Sequence, residues 1–172
     1  PAVLVPYFQK RCRNTDKILK AMYVAAGIGQ IIATRSSISG AAGGCQAEIG
    51  SASSMAAGAL TYLQGGNCEQ IATAAAMAMK NLLGLVCDPV AGLVEVPCVK
   101  RNVIGTVNAM ACADMAMAGI VSRIPPDQVM DAMKEVGDKM DASLRETALG
   151  GLARTEEGVK IAEKMHVSQE NW

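Results

Sequence analysis

Between Glu48 and Glu69 the chain carries no charge, and a run of that kind admits only two structures. It is about the length a bilayer crossing requires, so it is either a membrane span or a helix buried by protein. Its content decides between them. Gly50, Ser51, Ser53, Ser54, Gly58, Thr61, Gln64, Gly65, Gly66 and Asn67 all fall within it, too many polar and small residues for lipid. We therefore expect a buried helix in a soluble, cytoplasmic protein with no membrane partner. The remaining composition suits close helix packing: 51% of residues are hydrophobic but only 3% are aromatic, while Gly (17) and Met (11) are abundant. Small and flexible side chains let helices approach one another, which favours an all-α domain over an aromatic-rich sheet.

A chain of 172 residues is the size of one domain and buries roughly 70% of its unfolded surface. We assign 1–172 to a single compact helical domain of about six helices. Its opening residues, from Pro1, read as the continuation of an element, so a longer protein with further amino-terminal sequence is expected. Lys10, Arg11 and Arg13 follow the first apolar residues instead of leading them, which is not the order of a signal peptide. Sixteen basic against sixteen acidic residues give no field that recommends nucleic acid or an anionic membrane as partner.

Spacing and capping residues lay out the helices. Thr15 or Asp16 caps a helix to about Thr34, with Ile18, Met22 and Ala25 on one face. The stretch from Arg35 to Gly44 (RSSISGAAGG) reads as a loop. A second helix is expected from Cys45 to Leu63, stopped by Gly65 and Gly66. Asn67 followed by Gln70 has the form of a capping box and opens a third helix, to about Leu83. Two prolines, two glycines and the Asp88-Pro89 step make Gly84 to Cys98 a connector. A fourth helix spans roughly Val99 to Ser122. Pro125 and Pro126 then start an amphipathic helix through Val129, Met133, Val136 and Met140. Ser143 to Arg154 is broken by Gly150-Gly151, and Thr155 caps a last short helix.

Six cysteines in such a chain do not read as a disulfide scaffold, which belongs to small secreted domains with few core residues. They are core thiols, metal ligands or nucleophiles. Three of them lie at element ends flanked by Gly or Pro, where backbone can wrap a bulky ligand. Cys45 follows Gly43-Gly44, Cys87 precedes Asp88-Pro89, and Cys98 follows Pro97. Helix amino-termini favour thiolate at Cys45 and Cys98. Cys12, Cys68 and Cys112 lack that setting. No C-x-x-C pair is present, so common zinc and ferredoxin patterns are absent, and spacing alone leaves small buried thiols and metal ligands equally open.

The residues around these cysteines carry a resemblance. GAAGGCQAEIGSASSMAAG (Gly40 to Gly58), LLGLVCDPVAGLVEVPCVKRN (Leu82 to Asn102) and LRETALGGLA (Leu144 to Ala153) closely resemble the alpha chain of iron–sulfur L-serine dehydratases of the two-subunit type. The resemblance covers essentially the whole sequence. It implies a hydro-lyase that converts L-serine to pyruvate and ammonia, in amino-acid degradation and gluconeogenesis. It further implies a [4Fe-4S] cluster bound by Cys45, Cys87 and Cys98, with one open iron acting as a Lewis acid and no pyridoxal phosphate. A beta subunit and an oligomeric assembly are the expected partners. The general base and part of the substrate grip are expected in sequence outside this chain, so that 1–172 alone is inactive.

Several polar residues are candidates for the substrate or for the surroundings of the cluster, each with a structural alternative. Glu48 either hydrogen-bonds near the cluster or caps its helix. Arg101 and Asn102 either bind the substrate carboxylate or form a structural ion pair. Lys80 and Asn81 either line the site or do not reach it. Arg145, with Glu146 and Thr147, belongs to the last motif or to a buried network. His166, the single histidine, is expected at the surface, and the Gly50, Ser54, Gly58 stripe is expected to serve helix packing. Two rival functions remain in view. A pyridoxal-phosphate enzyme would need a Schiff-base lysine and a glycine-rich phosphate cup, and no such loop follows Lys80. A non-catalytic iron–sulfur or zinc-binding assembly subunit would use the same cysteines.

Overall fold

In the computed structural model the charge-free run becomes helix α4 (Ser51–Leu63), and the other helices are arranged around it. The structure describes residues 3–11 and 14–169, without the side chains of 7, 8 and 166–169. Cys12 and the side chain of His166 thus lie outside the described residues. Before α4 come α1 (Leu4–Lys10), α2 (Thr15–Arg35) and the single turn α3 (Gly40–Gly43). After it come α5 (Cys68–Lys80), α6 (Cys98–Met117), α7 (Pro126–Lys139) and α8 (Glu156–Gln169). Among the described residues there is no strand beyond one isolated bridge, and six helices reach thirteen residues or more. The domain is all-α, as expected. No described helix is long and apolar enough to cross a membrane.

α4 packs against α2, α5 and α6, and the reason is the smallness of its residues. A Cβ on Gly58 would collide with Ile28 of α2 and press on Ile71 of α5, so that stripe does serve close packing. Three hydroxyls on α4 find backbone acceptors, whereas Ser51 Oγ is buried without one among the described residues. Ser53 Oγ donates to Gly105 O at 2.7 Å, Ser54 Oγ to Ala75 O at 2.9 Å and Thr61 Oγ1 to Ala57 O at 2.9 Å. Each such buried bond contributes about 1 kcal/mol and ties α4 to a neighbour or to itself. Between α4, α5 and α6 lies a layer of Ala57, Ala74, Ala78, Ala109, Cys112 and Ala116, all close to fully buried. A second layer of larger residues, Ile32, Met79, Val129 and Met133, joins α2, α5 and α7.

Most helix boundaries follow the sequence signals. The Asn67–Gln70 capping box is present in both directions, Pro126 opens α7, and Thr155 Oγ1 accepts from Gly158 N–H at 3.1 Å to start α8. Three expectations need correction. α2 is capped by Asn14, whose side chain accepts from Lys17 N–H, and not by Thr15 or Asp16. α6 stops at Met117 because Gly119 turns into the left-handed region at φ +86°. The stretch ahead of α4, expected to be plain α-helix from Cys45, is one π-helical turn over Gln46–Gly50.

Candidate functional site

The π turn is where the site begins. One residue more than an α-helical turn is accommodated here, a device that recurs at functional sites. It follows Gly44, whose φ of +75° is closed to most side chains and whose Cβ would meet Met140 Sδ at 2.6 Å and Leu85 O at 2.9 Å. Gln46, fully buried, clamps the turn from inside: its Nε2 donates to Met133 O at 3.0 Å and its Oε1 accepts from Gly84 N–H at 2.9 Å. Cys45 and Glu48 are thereby presented from a rigid element.

Cys87 is held from the opposite side. Its N–H donates to Leu144 O at 2.8 Å and its C=O accepts from Glu146 N–H at 2.8 Å, the parallel bridge that joins two segments far apart in sequence. Glu146 itself adopts φ +65°, an uncommon conformation for a side-chain-bearing residue, maintained by that bridge. Cys98 is the first residue of α6.

These pieces converge. One ligand atom from each of Cys45, Glu48 and Cys87 lies within 4.8 Å of the others. Cys98 is near enough to Cys45 to alter its own proton affinity. A pocket of about 370 Å³ opens beside them, lined by Cys87, Cys98, Glu48, Asn102, Glu146 and the apolar Val94 and Val99, among others. Cys45 and Cys87 are buried, and Cys98 is half-buried.

Electrostatics in the site run against free thiolates. Burial pushes the Cys87 thiol up strongly, helped by Cys45 and by the Glu48 and Glu146 carboxylates. Burial likewise raises Cys98, with Cys45 adding to the shift and Arg101 partly opposing it. The expected preference for thiolate at the amino-terminus of α6 is therefore outweighed by desolvation. A metal held here would have to displace protons, as thiol ligands generally require.

Arg101 reaches under the cysteines rather than into the pocket. Its Nη1 lies 3.7 Å from Cys45 Sγ, donates to Val86 O at 2.8 Å and stands 2.8 Å from Asp88 Oδ1. Although burial works against its charge, hydrogen bonds to Cys45 and Asp88 keep the guanidinium firmly protonated. Asp88 in turn accepts from Leu152 N–H at 2.8 Å. The structural ion pair is thus the arrangement of Arg101, and Asp88, which sequence reading treated only as a turn residue, is its buried partner. The one local signal was the Asp-Pro step after a cysteine.

The other candidates separate. Asn102 lines the pocket and donates to Cys98 O at 2.9 Å. Lys80 Nζ instead donates to Ser122 Oγ, and Asn81 donates to Asn108 Oδ1; neither lines the pocket. The Arg145 guanidinium makes one long contact to Ala42 O at 3.5 Å, and its Nε is buried without a partner. Cys112 packs in the helical core, where burial raises its thiol, and Cys68 is exposed.

Comparison with known proteins places this arrangement in context. Residues 1–153 match the family model described as serine dehydratase alpha chain. The probable L-serine dehydratase alpha chain of Bacillus subtilis is 53% identical over 165 residues, 96% of this chain and 55% of that protein. A probable L-serine dehydratase alpha chain of Latilactobacillus sakei is 53% identical over 161 residues, covering 94% of this chain and 77% of that protein. An L-serine dehydratase of Streptomyces coelicolor is 48% identical over 141 residues, 81% of this chain and 31% of that protein. The chain spans about half the length of the Bacillus relative and a third of the Streptomyces one.

Proposed function

The chain belongs to the serine dehydratase alpha-chain family, and from that premise we propose that it is the cluster-bearing part of a two-chain L-serine dehydratase. The reaction converts L-serine to pyruvate and ammonia. The observation that carries the reading is the convergence of three cysteines from separate element ends: Cys87 and Cys98 line one pocket, and Cys45 lies buried close to both. Three sulfur donors beside about 370 Å³ of space suit a [4Fe-4S] cluster. A lone structural zinc ion takes four close tetrahedral donors and has no use for adjoining room.

When bound by the three cysteines, the cluster supplies an iron without a protein sulfur, a Lewis acid for the serine hydroxyl. The protein does the rest. Cys45, Cys87 and Cys98 release their protons on loading, and Arg101 then faces the Cys45 sulfur as a fixed positive charge that compensates the thiolate. Val94 and Val99 give the pocket an apolar wall, and Asn102 and Glu146 give it polar groups that can orient a small amino acid. Removal of the α-proton and loss of the β-hydroxyl yield aminoacrylate, which tautomerises and is hydrolysed to pyruvate and ammonia. The base for that proton is assigned to the further sequence of the longer alpha chain or to the beta chain.

Anaerobic reconstitution with iron and sulfide tests the reading. About four irons per chain, a broad sulfur-to-iron absorption, and loss of both in Cys87→Ser are expected. Pyruvate formation by the assembled enzyme should disappear in the same variant. Activity indifferent to substitution of all three cysteines would overturn the proposal, and a chromophore bleached by borohydride would replace the cluster with pyridoxal phosphate.

A further inference from the structure

Helix α6 has two faces, and only one of them is used inside the chain. Gly105, Ala109, Cys112, Ala113 and Ala116 are buried where α6 meets α4, α5 and the π turn. The opposite face is apolar and open. Val103, Ile104, Val107 and Met110 are each more than half exposed, and Ala111 beside them is exposed as well. Single surface valines are ordinary. Large apolar residues at three- and four-residue spacing are different, because they form one continuous stripe of the kind that packs against another helix.

The order of residues along that stripe identifies the other helix. Val107 stands at its centre. Ile104 and Val103 lie three and four residues before it, and Met110 and Ala111 lie three and four after it. Lys100 is seven before and Asp114 seven after, and both are exposed. At 3.6 residues per turn, all of these fall within about 60° of Val107 around the helix axis. The stripe is therefore the same size and shape read from either end, with opposite charges at its two ends.

That symmetry is what an isologous contact requires. When two copies of α6 pack antiparallel about a twofold axis at Val107, each residue before the centre meets its counterpart after the centre on the other copy. Ile104 meets Met110 of the partner subunit, and Lys100 meets Asp114 of the partner subunit, so the ion pair forms twice. A parallel pairing would set lysine against lysine and aspartate against aspartate. A foreign partner would impose no mirror order at all. Within the chain, Gln64 Nε2 donates to Asp114 Oδ1 at 3.0 Å, which steadies the carboxylate without neutralising it.

We propose that the exposed face of α6 joins two copies of this chain, antiparallel about Val107, with Lys100 and Asp114 pairing at each end. The inference goes beyond the proposed reaction and does not depend on the cluster.

A charge-swap experiment on the full-length chain, alone and with a beta chain, tests it by sedimentation and native mass spectrometry. The wild type should form a two-copy species, and Val107→Glu should leave it monomeric. Lys100→Glu and Asp114→Lys each set like charges against one another at both ends, and each should weaken self-association about tenfold. Mixing the two single variants restores opposite charges at both ends. The mixture should therefore form the one-to-one heterodimer in preference to either homodimer, a rescue that misfolding cannot produce. Added salt should narrow the difference between single variants and wild type. A wild type that stays monomeric under both conditions would overturn the proposal, as would single variants that self-associate like wild type or show no preference on mixing. Loss of beta-chain binding in Val107→Glu, with no two-copy species in the wild type, would assign the face to the beta chain instead.

Discussion

Asp88 and Arg101 show how much of the site hangs on a pair that no local pattern announces. Asp88 is buried, its carboxylate serves both the guanidinium and the Leu152 N–H, and the guanidinium serves the Cys45 sulfur. Asp88→Ala should leave Arg101 largely buried and unpaired, costing roughly 3 kcal/mol, to be read by chemical denaturation. Thiol ionisation gives a second prediction at this scale. Cys87 and Cys98 have proton affinities raised above the ordinary thiol value of 9.0 in the folded chain. Above that pH an unfolded chain loses the thiol protons while the folded, metal-free chain keeps them. Stability of the metal-free chain should therefore fall as pH rises from about 9 toward the raised folded values, where alkaline melting curves would detect it. Replacement of the cysteines by serine should flatten the trend. The gathering of the three cysteines was foreshadowed by a Gly or Pro within two residues of each at an element end. The proton affinity of Cys98 was misjudged because burial is a property of the fold and not of position along a helix.

Capping chemistry, being local, was the most readable part of the elements. Asn67 and Gln70 satisfy each other's backbone N–H groups at 2.9 and 3.0 Å, as their spacing foretold. Asn67→Ala should cost about 1 kcal/mol, seen as a fall of roughly 3 °C in the melting temperature. The π turn at Gln46–Gly50 left no such mark in the sequence. It arises from contacts to distant residues: Leu85 O accepts from Gln46 N–H, and the Gln46 side chain bonds residues 84 and 133. The bridge between Cys87 and the segment before α8 was equally hidden, because a single pair of backbone bonds needs no characteristic residue type. Lys80 and Asn81 illustrate the converse. They precede the Cys87 loop closely in sequence, yet α5 directs them to Ser122 and Asn108.

Across the whole molecule the site is only partly walled. Val94 and Val99 on the pocket rim are each more than half exposed, and Val103 and Val107 continue an exposed apolar stripe along α6. On the proposed function the pocket must exclude water, which requires cover on that side. On the same reading, residues 1–172 reconstituted alone should hold iron and sulfide yet form no measurable pyruvate from serine, and activity should appear only when further alpha-chain sequence and a beta chain are supplied. Turnover by 1–172 alone would place the base within this chain. The bridge to Cys87 carries one more consequence, for the order in which the protein is made. On the ribosome, Cys87 and both flanking helices emerge well before residues 144–146, which supply its hydrogen-bonding partners. Until those residues arrive, the loop bearing Cys87 lacks those two backbone bonds, so α2 to α7 are made before it is set. On the iron–sulfur reading proposed above, cofactor insertion is then a late event in biosynthesis, and a message truncated ahead of residue 144 would yield helices whose Cys87 loop lacks these partners.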